Sequence, residues 1–408
     1  MGSLYTGCNA PEEENLLSEL MEEHPADFSE ILQNRDNYEV QVIYTQINRD
    51  ENNIPSFKVF EFNTDNKRYF YPASTVKMPV ALLALEKLKE LSEEGIDRNT
   101  TMLTDSAYSG QTPVLADSTA ENGLPSVAHY VRKIFVVSDN DAFNRLYEFV
   151  GPQEIRSKLR SRGFDDARII HRLSIPLSED ENRHTNPVRF MDGNDTLYAE
   201  EGRFYEGEMD NEQGLKKGVG FVQNGELVNE PMEFGAKNFI PLDELNGMLQ
   251  RVIFPEAFEP SERFDLTDAD RKFVLQCMSQ LPGETAYPAY PQDEYYDAYC
   301  KFLLYGSDSS VTIPANVRIY NKIGLAYGYT TDVAYVVDFD NNIEFMLAAT
   351  IHTNKNRIYN DGEYEYEETA FPFMRDLGQL IYDYELNRSR QHVPDLSSYR
   401  FTYDKPRY

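Results

Sequence analysis

Apolar residues recur with two different periods at the start of this chain. The segment PEEENLLSELMEEHPADFSEILQN places Leu16, Leu17, Leu20 and Met21 at helical spacing. The next two segments, YEVQVIYTQI and SFKVFEFN, alternate apolar and polar residues as half-buried strands do. The pattern therefore predicts one helix followed by two antiparallel strands.

The middle of the chain, from about Leu91 to Phe264, is predicted to be mostly helical with long polar connections. Its clearest periodic segment is SVAHYVRKIFVVSDNDAFNRLYEFVG, which Gly151 would end as a C-cap. Within this region, a polar stretch at about residues 191–238 has the character of an insertion. In that stretch, Asn224-Gly225 between two β-like runs predicts a hairpin with a type I′ turn.

Strand patterns return late in the chain. NVRIYNKIG, TDVAYVVDF and IEFMLAATIH are β-rich runs separated by turn residues, and a helical pattern follows at FPFMRDLGQLIYDYEL. Because each group of strands is too small to stand alone, we expect both groups to form one sheet. The predicted fold class is therefore α+β. An antiparallel sheet would be covered by the terminal helices, with an all-helical lobe inserted between its second and third strands and a cleft between the lobes.

This arrangement predicts four parts of the chain. Residues 1–36 would form an N-terminal segment with its helix, and residues 37–97 together with 266–385 would form the lobe that contains the sheet. Residues 98–265 would form the helical lobe, and residues 386–408 a C-terminal extension.

Composition and charge narrow the expected partners. The 39 basic and 69 acidic residues give a net charge of −30, which repels phosphate backbones, so we expect no nucleic-acid partner. No run approaches the length of a membrane span. Cys8, Cys277 and Cys300 show no metal-ligand spacing, which disfavours a zinc site, and the sequence has no glycine-rich phosphate loop, so we expect no cofactor. The sequence leaves open whether Cys277 and Cys300 form a disulfide or stay buried thiols.

The first residues, MGSLYTGCNAPEEEN, place Gly7 directly before Cys8 and lack the apolar core of a signal peptide. One hypothesis is that Met1–Ser3 were added for expression, that a signal peptide has been removed, and that Cys8 carries the lipid of a mature bacterial lipoprotein. The alternative is an ordinary surface cysteine. The lipoprotein hypothesis predicts a bacterial periplasmic or cell-surface location.

Three short polar motifs could carry chemistry. In RYFYPASTVKMPVALLALEKLKE, Ser74 and Lys77 lie one turn apart at the start of an apolar helix, where Ser74 could be a nucleophile or only a helix cap. Ser138-Asp139-Asn140 interrupts an apolar run at a predicted loop, where it could face a cleft or cap a helix. Lys322 in NVRIYNKIG, taken alone, is typical of an edge strand, and Gly324 would allow close approach to the backbone.

The order of these motifs resembles that of the class A β-lactamases and related penicillin-binding serine hydrolases. The resemblance runs from about Tyr38 to Tyr384, and RHTNPVRF is similar to the Thr-x-Pro sequence that follows the omega loop of that family. It implies a serine hydrolase that forms an acyl-enzyme on Ser74 with a small-molecule or peptide substrate, either a β-lactam or a D-Ala-D-Ala-type amide. Alternatives are a penicillin-binding or esterase-like protein with slow deacylation and an inactive binding protein on the same fold.

A serine hydroxyl needs an adjacent base, and an amine serves as one only if burial and a nearby positive charge lower its pKa. Lys77 and Lys322 could supply the base and the charge, and Ser138 could pass a proton to the leaving amine. The candidate catalytic residues are therefore Ser74, Lys77, Ser138 and Lys322.

Other residues are expected to bind the substrate. The resemblance implies that Asn140 binds the amide side chain of the substrate and helps to position Lys77. The backbone amides of Ser74 and Leu325 could hold the oxyanion, with Gly324 beside them.

The third motif departs from the family pattern. Ile323 stands where the family has Thr or Ser, whose hydroxyl helps to bind the substrate carboxylate. This predicts weaker binding of β-lactams, a different substrate, or compensation by Thr330 or Thr331.

The omega loop also departs from the pattern. RLSIPLSEDENRHTNP is shorter than usual, and the glutamate that activates the deacylating water would fall near Pro176 or Leu177. Glu179 and Glu181 are candidate substitutes, although such an acidic run is typical of a solvated loop. Without that base, acylation could occur while hydrolysis stalls.

Overall fold

The structure, a computed structural model, describes residues 16–406. Cys8 lies outside these residues, and its lipid anchor stays a prediction. Within the described range, no helix combines the length and the apolar character needed to cross a membrane. The helices are α1 (Leu16–Glu22), α2 (Pro25–Gln33), α3 (Lys77–Glu90), α4 (Val127–Val137), α5 (Asn140–Val150), α6 (Pro152–Arg160), α7 (Glu179–Arg183), α8 (Leu242–Ile253), α9 (Asp268–Ser279) and α10 (Phe371–Asn387).

The strands fall into one large sheet and several small ones. They are β1 (Gln41–Arg49), β2 (Pro55–Phe62), β3 (Thr101–Thr104), β4 (Val188–Asp192), β5 (Asp195–Glu200), β6 (Lys216–Lys217), β7 (Gly220–Gln223), β8 (Glu226–Val228), β9 (Met232–Glu233), β10 (Val317–Ala326), β11 (Tyr329–Asp338), β12 (Ile343–His352) and β13 (Ile358–Tyr359).

Both ends of the chain supply strands to the large sheet, which is antiparallel and has the order β10-β11-β12-β1-β2. The two strand groups join where β1 pairs with β12, with Gln41 opposite Thr350. This sheet confirms the predicted α+β fold class. Strand β11 is buried along its whole length because helices cover both faces of the sheet, and its central run, Val333 to Val337, is continuously apolar.

The two faces of the sheet belong to different layers. One face packs against α1, α2 and α10 and buries Ile319 and Phe345 with Leu377. The other face packs against α8 and α9 and buries Tyr320 and Tyr335. In this structure Cys277 and Cys300 are both buried and both free thiols.

Helix α3 is the buried axis of the molecule. Every residue from Lys77 to Leu88 is buried, as expected for a helix that is apolar on all sides. Two of its buried charged residues are paired: Glu86 accepts from Arg162, and Lys87 lies 2.8 Å from a carboxylate oxygen of Glu200. The surrounding packing therefore fixes the start of this helix in place.

The prediction of an all-helical inserted lobe is wrong. That lobe contains a three-stranded sheet in which β4 pairs with both β3 and β5, and smaller strands follow in the 191–238 insertion. These strands are short, and β3 is far from β4 in the chain, so local periodicity does not reveal that pair; the hairpin of β4 and β5, closed by Gly193-Asn194, is local and was not predicted. The hairpin at Asn224-Gly225 is confirmed, because both residues have the positive φ angles of a type I′ turn.

The first predicted helix is two helices. Helix α1 ends at Glu22, and α2 begins at Pro25. Proline cannot donate a backbone hydrogen bond inside a helix, and it disfavours helical geometry in the residue before it, here His24. By contrast, α10 lies where the sequence predicted the final helix.

Gly324 on β10 lies against the chain that leads into α3. A Cβ atom added there would lie 2.4 Å from the carbonyl oxygen of Pro72 and 3.1 Å from Cγ2 of Thr75. We expect Gly324→Ala to destabilise the protein by about 1–3 kcal/mol, because β10 and this segment must move apart. Urea unfolding measures the loss.

The matched control is Gly247→Ala in α8, where a Cβ would meet only a ring carbon of Phe164 at 3.5 Å. That change should be neutral or stabilise by up to about 1 kcal/mol, because alanine favours the helix. Equal effects of the two substitutions would contradict the close approach at Gly324.

Candidate active site

Ser74 lies in a single helical turn, Ala73–Val76, directly before α3. Pro72 occupies the N-cap position of this turn, so the interpretation of Ser74 as a helix cap is wrong. Ala73 has a φ of 46°, a left-handed conformation that is unfavourable for a residue with a Cβ atom. Such strained residues concentrate at functional sites, where the surrounding structure holds them.

The side chain of Lys77 is surrounded by oxygen atoms. Its Nζ lies 2.8 Å from Ser74 Oγ, 2.5 Å from the Ser138 carbonyl oxygen and 2.7 Å from Asn140 Oδ1. Ser138 Oγ is farther away, at 3.3 Å. Lys77 has no exposed surface. The first two motifs therefore meet around one buried amine.

Ser138 connects the two lysines. It ends α4 with a φ of 60°, and Asp139 then caps α5 by accepting from the amide of Ala142 at 2.8 Å. The Ser138-Asp139-Asn140 motif therefore has both predicted roles: Asp139 caps α5, and Ser138 contacts the two lysines. Lys322 Nζ donates to Ser138 Oγ at 2.8 Å. Although β10 is an edge strand, Lys322 is buried, which excludes the role of an exposed edge lysine.

The environment lowers the pKa of both lysines. Burial, and after it the positive charge of Lys322, holds the pKa of Lys77 well below its usual value. Burial lowers the pKa of Lys322 to about 8. Within residues 16–406, neither lysine forms an ion pair with a carboxylate; Asp139 raises the pKa of Lys77 and Asp332 that of Lys322, but burial outweighs both.

The close approach of Gly324 to Pro72 brings the backbone of β10 beside the Ser74 turn. Leu325 follows on this strand, and its side chain is half-exposed. Ile323 points to the opposite side and joins the apolar cluster between the sheet and α10. The backbone at Gly324–Leu325, and not the side chain of Ile323, therefore borders the site.

The structure does not bring the two candidate threonine hydroxyls to this group. Thr331 and Thr330 lie on β11 opposite Gly324 and Leu325, and both are buried in the sheet. The Thr331 hydroxyl is 2.8 Å from that of Thr350. Neither presents an exposed hydroxyl, so the structure gives no support to compensation for Ile323 at these positions.

The two candidate carboxylates are occupied elsewhere. Glu179 accepts from Arg183 at 2.6 Å and from Asn211 at 2.7 Å. Glu181 forms a capping box with Ser178 at the start of α7 and also accepts from Ser109. Neither contacts Ser74, Lys77 or Asn140. Acidic residues in the first turn of a helix accept from free backbone amides and interact favourably with the helix dipole. This explains why Glu179 and Glu181 lie at the start of α7.

Sequence reasoning missed Ser174, the residue of this loop that does reach the site. Its Oγ accepts from Asn140 Nδ2 at 2.8 Å, while Oδ1 of the same Asn140 accepts from Lys77. Arg172 anchors the loop, because it is buried, pairs with Glu148 at 2.9 Å and donates to the Glu181 carbonyl. A serine in a polar loop gives no signal in the sequence. In the structure, the buried charge of Arg172 shows that this loop is held in place.

Sequence reasoning also missed a cation contributed by the insertion. Lys237 Nζ donates to the Tyr327 hydroxyl at 3.2 Å and lies over the rings of Tyr71 and Phe234. Tyr71 in turn stacks on His171. These residues link the end of the insertion to the chain before Ser74 and to the turn after β10.

Metal-ligating side chains do not cluster in the part of the chain that the structure describes. The groups that surround Ser74 are amines, hydroxyls, one amide and backbone atoms. Such a set can move protons and stabilise negative charge in an acyl transfer.

Comparison with known proteins gives the following matches. Residues 26–210 match the β-lactamase enzyme family. Among solved structures, a β-lactamase from Burkholderia vietnamiensis is similar with a TM-score of 0.50 and 13% identity, over 93% of this chain and 100% of that one. A β-lactamase from Sphaerobacter thermophilus has a TM-score of 0.49 and 13% identity, over 90% and 96% of the two chains. A class A β-lactamase from Clostridium kluyveri has a TM-score of 0.47 and 15% identity, over 87% and 97%. No curated protein sequence matches the chain.

Proposed function

Because the chain resembles the β-lactamase enzyme family over residues 26–210 and has the fold of a β-lactamase, we propose that it is a serine hydrolase that forms an acyl-enzyme on Ser74. These matches confirm the resemblance that the three motifs predicted, in a divergent sequence. The proposed substrate is a β-lactam or a D-Ala-D-Ala-type amide. The observation that carries the proposal is the convergence of Ser74, Ser138 and Asn140 on the buried amine of Lys77.

The oxygens around Lys77 assign it the role of base. The Ser138 carbonyl and Asn140 Oδ1 can only accept hydrogen bonds, so they take the two protons of a neutral amine. The lone pair is then free for the hydroxyl proton of Ser74, 2.8 Å away. A lowered pKa keeps Lys77 neutral, so it can accept that proton as Ser74 attacks the carbonyl carbon.

Ser138 completes the proton path. It lies between Lys77 and Lys322, so its hydroxyl can donate to the leaving nitrogen and recover a proton from Lys77. The carbon–nitrogen bond breaks and the acyl group stays on Ser74. The backbone amides of Ser74 and Leu325 would stabilise the oxyanion, and the start of α3 adds positive potential.

The second half of the reaction is less well supported by these residues. A deacylating water needs a base, and the loop residue that contacts Asn140 is Ser174, not a carboxylate. We therefore propose a long-lived acyl-enzyme, the behaviour of a penicillin-binding protein. The bacterial periplasmic or cell-surface location stays a prediction that accompanies this proposal.

We expect intact-mass spectrometry after incubation with a fluorescent penicillin to show one covalent adduct. Ser74→Ala should abolish that adduct because the nucleophile is lost. Ser92→Ala, at a serine outside the site, is the matched control and should label as the original protein does. An adduct that survives in Ser74→Ala would contradict the assignment of the nucleophile.

A carboxylate at position 174 should restore hydrolysis. We expect Ser174→Glu to shorten the lifetime of the penicillin adduct by about tenfold or more, because a base then lies beside Asn140. The decay of the adduct in intact-mass spectra measures the change. Glu179→Gln and Glu181→Gln should leave the lifetime unchanged; a longer lifetime in either would show that the carboxylate acts in deacylation.

The rate of acylation should follow a bell-shaped pH profile. It should rise as Lys77 loses its proton, since only the neutral amine is a base, and it should fall near pH 8 as Lys322 loses its charge. Stopped-flow acylation across pH 5–10 measures both limbs. Thermal unfolding at each pH serves as the control, and a rate that still rises at the alkaline end would refute the role of charged Lys322.

A further inference from the structure

A cavity of about 890 Å³ lies outside the residues assigned to acyl transfer. Its walls come from α2, from β6 in the insertion and from the connection between β12 and β13. None of Ser74, Lys77, Ser138, Asn140 or Lys322 lines it. Its volume matches that of pockets that hold small organic ligands rather than single inorganic ions.

Two side chains in the lining have unpaired polar atoms. Asn354 is 8% exposed, and neither its amide nitrogen nor its amide oxygen has a hydrogen-bond partner among the residues that the structure describes. Nε2 of His352 is also buried and unpaired within the same range. A buried polar group without a partner costs about 1–3 kcal/mol, so a ligand that pairs with it gains that energy.

The unpaired atoms of Asn354 specify the chemistry of a partner. One is a donor and the other an acceptor. An amide group offers the complementary acceptor and donor. The adjacent rings of His352 and Tyr359 lie nearly parallel, 6.1 Å apart, and provide an apolar surface beside it.

The charges of the lining favour an anion. The lining contains four cations and three carboxylates. Glu39 is paired with Lys217 at 2.6 Å, Asp36 lies 3.9 Å from Arg68, and Glu30 accepts from Tyr38 at 2.6 Å. The lining cations Lys216, Lys355 and Arg357 form no ion pair with any described residue. In a chain with a net charge of −30, this small excess of cations makes the cavity a local exception.

We infer that this cavity is a second binding site, for a small anion that contains an amide: an N-acyl amino acid or a short peptide with a free carboxylate. The amide pairs with Asn354 on the floor, and the carboxylate lies at the rim formed by Lys216, Lys355 and Arg357. Binding at this site does not require acylation of Ser74.

Calorimetry with the full-length Ser74→Ala protein tests this inference, because that variant cannot be acylated at Ser74. The probes are N-acetyl-alanyl-alanine in its L,L and D,D forms, and the C-terminal amide of each. We expect at least one free acid to bind about tenfold or more tightly than its amide, since the amide lacks the charge. Inorganic phosphate should not compete at similar concentrations.

Variants locate the binding. The double variant Lys355→Gln/Arg357→Gln, at exposed positions, should lower the affinity for the free acid by about tenfold or more. The matched surface pair Arg271→Gln/Lys272→Gln should leave that affinity unchanged. Asn354→Leu should also weaken binding without lowering the melting temperature, because it removes an unpaired buried amide.

Each of the following results would overturn the inference: equal affinity for acid and amide, equal effects of the two double variants, or an unchanged affinity for the free acid in Asn354→Leu. Absence of binding by all four probes at about 10 mM would overturn it too, because a complementary site should exceed millimolar affinity. None of these results depends on the fate of the Ser74 adduct.

Discussion

The burial of the Lys77 amine is the constraint on which the rest of the structure depends. A nitrogen without exposed surface must find its hydrogen-bond partners inside the protein, because an unpaired one would cost several kcal/mol. Ser74 comes from its own segment, but Ser138 and Asn140 come from the junction of α4 and α5. The junction of α4 and α5 must therefore lie against the start of α3, where the apolar packing of α3 on both helices also holds it.

The buried cations of this acidic protein are satisfied in two ways. Buried arginines that hold the fold have a carboxylate beside them: Arg172 pairs with Glu148, and Arg49 with Glu344. Lys77 and Lys322 are as deeply buried, but their contacts are hydroxyl, amide and carbonyl oxygens. Burial lowers the pKa of both amines, and neutral acceptors do not offset it as an adjacent carboxylate would. Lys301 is satisfied in the same way, by the carbonyls of Met278 and Ile319 and by Asn321 Oδ1, and burial lowers its pKa to about 8.

Those parts of the molecule that depend on local patterns could be predicted from the sequence. The strands of the large sheet have clear apolar runs, and the three motifs lie at fixed offsets from the elements that carry them. The pairing of β3 with β4 could not be predicted, because the two strands are distant in the chain, whereas β4 and β5 form a local hairpin whose turn, Gly193-Asn194, was not recognised. Ser174 could not be predicted either, because Arg172 and Asn140 bring it to the site. Glu179 and Glu181 are ambiguous in the sequence because an acidic first turn caps a helix as readily as it supplies a base.

Under the proposed mechanism, the contact between Asn140 and Ser174 would divide the reaction into two unequal halves. Oδ1 of Asn140 accepts from the amine that would activate Ser74, and Nδ2 donates to a neutral hydroxyl, which is too weak a base to deprotonate water. Attack by Ser74 would need only groups that are already in place, whereas attack by water would need a base beside Asn140 that Ser174 does not supply. The loop is nevertheless rigidly anchored by Arg172. Under the proposed mechanism, a loop that is held in place with a hydroxyl and no carboxylate beside Asn140 would preserve the acyl-enzyme.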